Sequence, residues 1–416
     1  MYGNKILIYA FTLRRDVASA LLLKRYLENR GAQVVLVTGY NIEFYAKYWR
    51  PDAIIINTIS KIDYIKQICQ RAKIILWPGE GSEDDLSSNA RMLSKRKGQF
   101  DQLDLILAWG QHDLDLFRKY FKTGLEKIQV CGNPRLDLIK LNKNLQPKKT
   151  KQLSIGFIGR YNSLNQYDGR PTIYSLNYTR NLDSVVGQAK GYVLMVETIR
   201  YLVKNSDFEI SIRPHPLEAP ENYKYLQSFF PGRIHIDDSI DLANWMAKQS
   251  VICSPSSTSF LEAYLTKTFI INLDQMSNLL KWVKTNQSFT ALSVEAGTAP
   301  KTFEEIKKVI FSPPKVKKSA RIEDHLSKAH GWNLERTACS LAATKILPTK
   351  TNQKPSLFWL KLLNYINLLR FRYLYFKKPL FPNFNYCDGF HHTPDHFSKI
   401  YELIDEESQN FTNGAK

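Results

Sequence analysis

The chain has no CxxC pair, and its five cysteines (Cys69, Cys131, Cys253, Cys339, Cys387) are odd in number and widely spaced. That pattern excludes a disulfide framework and suits the reduced thiols of a cytosolic protein. No apolar run is long enough to span a bilayer. The first apolar segment, Lys5 to Ala10, is a short strand pattern rather than the core of a signal peptide. No recognition-helix, zinc-finger or RNP pattern is present, so nucleic acid is not the expected partner. The glycines of Gly156-Phe157-Ile158-Gly159 do not match a dinucleotide fingerprint, which excludes NAD.

What is there is size, apolar content and positive charge. At 416 residues with 44% hydrophobic content the chain is too long for one core and implies two globular domains. The net charge of +19, from 58 basic against 39 acidic residues, points to an anionic partner: membrane phosphates or anionic substrates. Lysines scattered along solvated faces account for much of that excess. Strand patterns at Lys5–Ala10, Gln33–Thr38, Ala53–Asn57, Ile74–Trp77, Leu105–Trp109 and Lys127–Val130 alternate with helix patterns such as Arg15–Asn29 and Ile62–Arg71. Alternation at this spacing means a parallel, doubly wound sheet.

A Pro-, Lys- and Gln-rich stretch at Leu145–Gln152 reads as a linker, after which Leu153–Ile158 restarts the pattern. Further strands follow at Phe208–Ile212, Arg233–Ile236, Val251–Cys253 and Phe269–Asn272, with helices at Tyr192–Asn205, Leu242–Lys248 and Phe260–Leu265. The expected fold is α/β: two Rossmann-like doubly wound domains, residues 1–147 and 153–345, facing a cleft, plus a C-terminal helical tail over 354–416. The segment Lys354–Lys378 mixes aromatic and aliphatic residues with Lys and Arg and contains no acid. Such a helix lies in an anionic membrane interface or packs across the domains, and both readings stay open. The end, Asp405–Lys416, reads as frayed and polar.

Five loops carry candidate chemistry. Ser211-Ile212-Arg213-Pro214-His215-Pro216-Leu217-Glu218 follows a strand, and two prolines keep His215 out of any helix. An imidazole beside Arg213 at a strand's carboxyl end suits a phosphate. Ser254-Pro255-Ser256-Ser257-Thr258-Ser259 runs into the Phe260–Leu265 helix, where hydroxyls and first-turn amides make an anion site. Glu262, one turn in, could accept from ribose hydroxyls, and Ser259 with Glu262 equally fits a capping box. In Trp77-Pro78-Gly79-Glu80-Gly81-Ser82-Glu83-Asp84-Asp85, crowded acids follow a strand. Glu80 is the candidate acid/base, while Asp84 and Asp85 suit a helix start. In the loop after Ile158, Asp168 is either an Asx-turn residue or a nucleophile held ionised by Arg160 or Arg170. Gly132-Asn133-Pro134-Arg135-Leu136-Asp137 reads as a structural turn. His391, His392 and His396 with Asp388 read as surface residues, and no metal is expected.

Taken in order, the Gly132–Asp137, Ile155–Arg160, Ile212–Pro216 and Ser254–Ala263 segments resemble bacterial surface-carbohydrate biosynthesis proteins. The resemblance is strongest to the retaining β-Kdo transferase modules of capsule and O-antigen assembly, over roughly residues 1–345. It implies a GT-B fold and a glycosyltransferase using a CMP-activated acidic sugar as co-substrate, with no cofactor. By the same resemblance His215 with Pro216, Arg213 and Arg160 meets the CMP phosphate, Ser256, Ser257, Thr258 and Ser259 hold phosphate, and Glu262 holds the ribose. Asp168 is the implied nucleophile, and Glu80, with Glu83 second, the acid/base. The implied acceptor is a lipid-linked or polysaccharide glycan, which places the protein in the cytoplasm at the inner membrane face. Rival readings are a CDP-polyol phosphotransferase or sugar-nucleotide epimerase on the same fold, and a non-catalytic assembly subunit.

Overall fold

The computed structural model describes residues 4–37, 41–80, 88–96, 98–142, 145, 153–167, 169, 171–173, 182–276, 289–348, 358–377 and 398–413. The chain divides into two compact units, Met1–Asn142 with His325–Lys416, and Lys143–Asp324.

Unit 1 holds a parallel sheet of β1 (Lys5–Tyr9), β2 (Gln33–Val37), β3 (Ala53–Ile56), β4 (Lys73–Leu76), β5 (Leu105–Ala108) and β6 (Ile128–Val130), in the order β2-β1-β3-β4-β5-β6. The apolar runs Ile6–Tyr9, Ala53–Ile56 and Ile74–Leu76 are buried throughout, as strands covered on both faces must be. The connecting helices are α1 (Leu13–Glu28), α2 (Ile42–Tyr48), α3 (Ile62–Ile68), α4 (Asn89–Ser94), α5 (Gln111–Tyr120) and α6 (Asp137–Leu141).

Unit 2 repeats the plan. Its strands β7 (Ser154–Ile158), β8 (Glu209–Arg213), β9 (Ile234–Ile236), β10 (Val251–Ser254) and β11 (Phe269–Asn272) pair in parallel in the order β11-β10-β7-β8-β9. Its helices are α7 (Leu182–Asn205), α8 (Lys224–Phe229), α9 (Leu242–Ala247), α10 (Phe260–Leu265), α11 (Phe289–Glu295) and α12 (Phe303–Phe311), with α13 (Ala320–His330) running across the boundary at Asp324. Each unit has its own core, one built around Leu7, Ile54, Ile74 and Ile106, the other around Ile155, Phe157, Ile210 and Val251.

The domain boundaries differ from those read in the sequence. The sequence pattern runs the second domain to residue 345 and sets a tail apart from 354, whereas residues from His325 onward group with unit 1. The cause is local. Helix α14 (Ala338–Ile346) starts on Thr337, whose Oγ1 accepts from the Ser340 amide, and its first free amides, Ala338 and Cys339, donate to the buried Asp137 carboxylate at 2.8 and 2.7 Å. An acid closing a helix N-terminus answers both the orphan N–H groups and the helix dipole. Helix α16 (Ser398–Asn413) is likewise docked, with Arg25 paired to Asp405 and Ile400 and Ile404 buried, so the stretch from Asp405 to Asn413 is helical rather than frayed. His391, His392, His396 and Asp388 lie outside the described residues.

Candidate functional site

Strand order in unit 2 reverses between β7 and β10: the chain runs outward from β7 through β8 and β9 on one side, and through β10 and β11 on the other. Open α/β sheets bind ligands outside the carboxyl ends at such a switch point. Register brings the loops to one height, with Ile158 level with Arg213, Phe157 with Cys253, and Ser254 with Asn272. Arg160, His215, Ser256 and Asp274 therefore all sit just beyond the same sheet edge.

The loops after β7 and β8 are interlocked. Glu218, wholly buried, accepts from the Tyr161 amide and from the Tyr223 hydroxyl (2.6 Å). Tyr167 donates its amide to the Leu217 carbonyl at 3.0 Å, and Asn165 donates its side-chain amide to the Ala219 carbonyl at 2.9 Å. Gly159 has to be glycine: a Cβ there would stand 2.5 Å from Glu218 Oε2. His215, half-buried, accepts the Leu217 amide on Nδ1 at 3.2 Å, which assigns the ring proton to Nε2. Pro216, also half-buried, separates the two.

Arg213 is placed differently from the phosphate contact expected of it. It is 5% exposed and paired with Asp237, and it donates to Ser239 Oγ (3.1 Å) and the Ser239 carbonyl (2.8 Å), with Trp245 5.8 Å from its guanidinium. Arg160 donates to the Ser256 carbonyl, tying the β7 loop to the β10 loop across the switch point.

The hydroxyl loop is held from β11. Ser256 gives its amide to Asp274 Oδ2 (2.7 Å), and its Oγ accepts from Asn272 Nδ2 (2.9 Å). Ser257 and Ser259 hydroxyls lie 2.6 Å apart, with Thr258 half-buried between them. The capping box does not form: Ser259 stands at the N-cap of α10 but makes no side-chain cap bond, being engaged with Ser257. Glu262 is buried in the first turn of α10. Asp168 lies outside the described residues; of its neighbours, Gly169 donates to the Gln166 carbonyl at 3.0 Å.

In unit 1, Glu83, Asp84 and Asp85 lie outside the described residues. Glu80 is exposed and paired with Arg15. Arg15 also donates Nε to Asp16 Oδ1 at 2.9 Å; burial lowers its pKa, but Asp16 and Glu80 outweigh that and leave it raised. Arg135, read as a turn residue, lines the pocket that also contains Arg15 and Asp16.

No protein-family model and no curated protein matches the chain. Among solved structures, the wall teichoic acid polymerase TagF is similar over 89% of this chain and 90% of its own, at 10% identity and a TM-score of 0.50. The chain has a GT-B-like fold. S. aureus MnaA, solved with UDP, matches 85% of this chain and 99% of its own at 13% identity and a TM-score of 0.49. The Methanocaldococcus jannaschii UDP-GlcNAc 2-epimerase, solved with UDP-GlcNAc and UDP, matches 83% and 99% at 13% identity and a TM-score of 0.49. At these identities the likeness is one of fold, and function has to be argued from the residues.

Within this GT-B-like chain the basic aromatic segment forms α15 (Phe358–Lys377), which lays one face on unit 1. Tyr45 donates to Asn364 Oδ1 at 2.5 Å, Asn367 donates to Asn41 Oδ1 at 3.2 Å, and Leu360 and Leu363 join the core. Leu362, Tyr365, Ile366 and Leu369 are exposed. Among the described residues no helix is long and apolar enough to cross a membrane.

Proposed function

We propose that the protein is a glycosyltransferase of surface-carbohydrate assembly that takes its sugar nucleotide at the switch point of unit 2. One observation carries this reading: the loops after β7, β8 and β10 are bonded to one another around His215, leaving a rigid sheet edge with an N–H donor on a strand-end imidazole. A preorganised donor set costs little reorganisation when charge develops on a departing phosphate.

The motif resemblance supports the finer assignment: a CMP-activated, Kdo-like acidic sugar, with His215, Arg160 and the Ser256–Ser259 loop at the phosphate and Glu262 at the ribose. Arg213, already answered by Asp237, holds the end of β8 in place for His215. The Asp168 carboxylate attacks the anomeric carbon as the bond to CMP oxygen breaks. The acceptor hydroxyl, losing its proton to a first-domain carboxylate (Glu80, or Glu83), then displaces Asp168, so two inversions give retention. Glu80, salt-bridged to Arg15, suits the proton-accepting half of that role. The exposed apolar face of α15, with its flanking Lys and Arg, supports docking of the enzyme on an anionic membrane that bears the lipid-linked acceptor.

The test offers CMP-, CDP- and UDP-sugars to purified protein with a glycan acceptor. Free CMP and a new glycosidic bond are the expected products. Preference for a UDP donor overturns the CMP assignment, return of an epimerised nucleotide sugar overturns transfer, and phosphate retained on the product means phosphotransfer. His215→Asn keeps an acceptor oxygen for the Leu217 amide and removes the Nε2–H. Donor turnover should fall about a hundredfold with the fold intact.

A further inference from the structure

Helix α7 has 24 residues and is about 36 Å long. One face, with Leu194, Met195, Ile199 and Leu202, is buried in the core of unit 2. The opposite face of a surface helix is ordinarily polar. Here it carries Leu182, Val186 and Val193, each more than half exposed, and the half-buried Ala189, Val196 and Val203 beside them. These six fall at alternating steps of four and three residues, broken only by Arg200 in the last turns. That is the a/d spacing of a helix that packs against another helix. The helix therefore has a second apolar seam that its own sheet does not use.

The charges beside the seam are ordered. Asp183, Lys190, Glu197 and Lys204 are all exposed, follow at steps of seven residues, and each lies at the e position of the heptad. Among the described residues none of the four is ion-paired within the chain. Their signs alternate, so the row is its own complement when reversed. In an antiparallel helix pair about a two-fold axis, the same flank of each helix meets itself. Asp183 then faces the partner's Lys204 and Lys190 faces the partner's Glu197, and the axis repeats both pairs. A parallel pair would set this row against the other flank, where Val185 and Ile199 are buried and Tyr192 packs edge-on against Tyr161 and Tyr223. On that other flank Tyr225, hydrogen-bonded to the Tyr192 hydroxyl, and Phe229 are exposed and extend the apolar surface.

We propose that the occupant of this face is a second copy of the chain, with α7 paired antiparallel to α7 of the partner subunit and Val193 close to the two-fold axis. The chain as a whole carries a charge of +19, yet the four flanking positions sum to zero. The face therefore does not select an anionic membrane or polymer; the surface that matches both its apolar spacing and its order of charges is itself. This interface does not rest on the glycosyltransferase reading.

The test is sedimentation velocity of the full-length protein across micromolar concentrations, where a reversible dimer is expected. Val193→Glu brings an acid from each copy to the axis and should leave a monomer. Because Val193 is more than half exposed, the thermal unfolding of that variant, compared with the parent at concentrations where both are monomeric, should be unchanged. Lys190→Glu sets like charges against each other twice and should raise the dimer dissociation constant about tenfold. Combining it with Glu197→Lys restores opposite charges and should return the constant to within about threefold of the parent. A parent that stays monomeric throughout overturns the proposal. So does a dimer that Val193→Glu leaves intact, or a Lys190→Glu defect that Glu197→Lys fails to rescue.

Discussion

The contact between Gly159 and Glu218 can be tested as a double-mutant cycle. A methyl at position 159 would sit 2.5 Å from Glu218 Oε2 and 3.1 Å from its Cδ. A long side chain usually swings clear, but this one is wholly buried and bonded at both oxygens, to the Tyr161 amide and the Tyr223 hydroxyl. Gly159→Ala must therefore combine overpacking with loss of a charge-assisted bond, roughly 2–4 kcal/mol in all. Glu218→Ala leaves a buried N–H and a buried O–H unpaired and should cost about 3–5 kcal/mol. In the double variant the new methyl enters space the carboxylate has vacated. Its total cost should match Glu218→Ala alone, giving a coupling of about 2 kcal/mol or more. The assay is urea unfolding of the full-length chain, with hydrogen exchange of β7 and β8 peptides isolating unit 2. Additivity within about 0.5 kcal/mol would falsify the claim that the carboxylate fills the space above Gly159.

Two further outcomes concern unit 1. Burial pushes the Asp137 carboxyl up to about 6, even though the Cys339 and Ala338 amides and Lys140 pull it down. A folded-state pKa above the unfolded value of 3.8 favours the protonated form, so its stabilisation is complete below that value and is lost as pH rises through about 6. The stability difference between the parent and Asp137→Asn should therefore move against the parent by about 3 kcal/mol between roughly pH 4 and pH 7, and parallel pH curves would refute the linkage. The Arg25 bond holds the Asp405 carboxyl below its ordinary range, so its contribution is present above the unfolded value and fades on acidification through the lowered one. Both partners are about one-third exposed, so Asp405→Ala should cost under about 1 kcal/mol globally while raising amide exchange in α16. Unchanged exchange there would mean that the pair does not dock the helix.

The parallel α/β plan was legible because buried parallel strands are short, continuous apolar runs punctuated by turn residues, and the runs at Ile6, Ile54, Ile74, Ile155 and Val251 are of that kind. The return of the chain to unit 1 after His325 was not legible. It depends on a carboxylate at 137 meeting two amides some 200 residues later, and neither Asp137 nor Thr337 stands out in its own neighbourhood. A helix pattern announces that it will form, but not which sheet will bury it. The tail misled for the same reason: α16 looks polar until Arg25 and Asn29 are seen waiting for Asp405.

The site shows the same division. Motif reading found the loops, since proline-flanked His215 and the serine run stand out from any helix or strand pattern. It missed the residues that hold them, namely Glu218, Asp237, Asn272 and Asp274, because their importance comes from register across strands. Asp237 follows β9, and Ile236 lies level with Ile212, so the acid arrives beside Arg213 only once β8 and β9 have paired. A guanidinium read alone next to a histidine suggests a phosphate ligand; the same group, itself buried, with the half-buried acid Asp237 at its side is already neutralised. On the proposed donor reading, that leaves the incoming phosphate to His215, the hydroxyls of the Ser256–Ser259 loop and Arg160, which ties its loop to the Ser256 carbonyl. Arg160→Lys should thus impair donor use more than it impairs stability, whereas Arg213→Lys should do the opposite, because a lysine cannot satisfy Asp237, Ser239 Oγ and the Ser239 carbonyl in the same geometry.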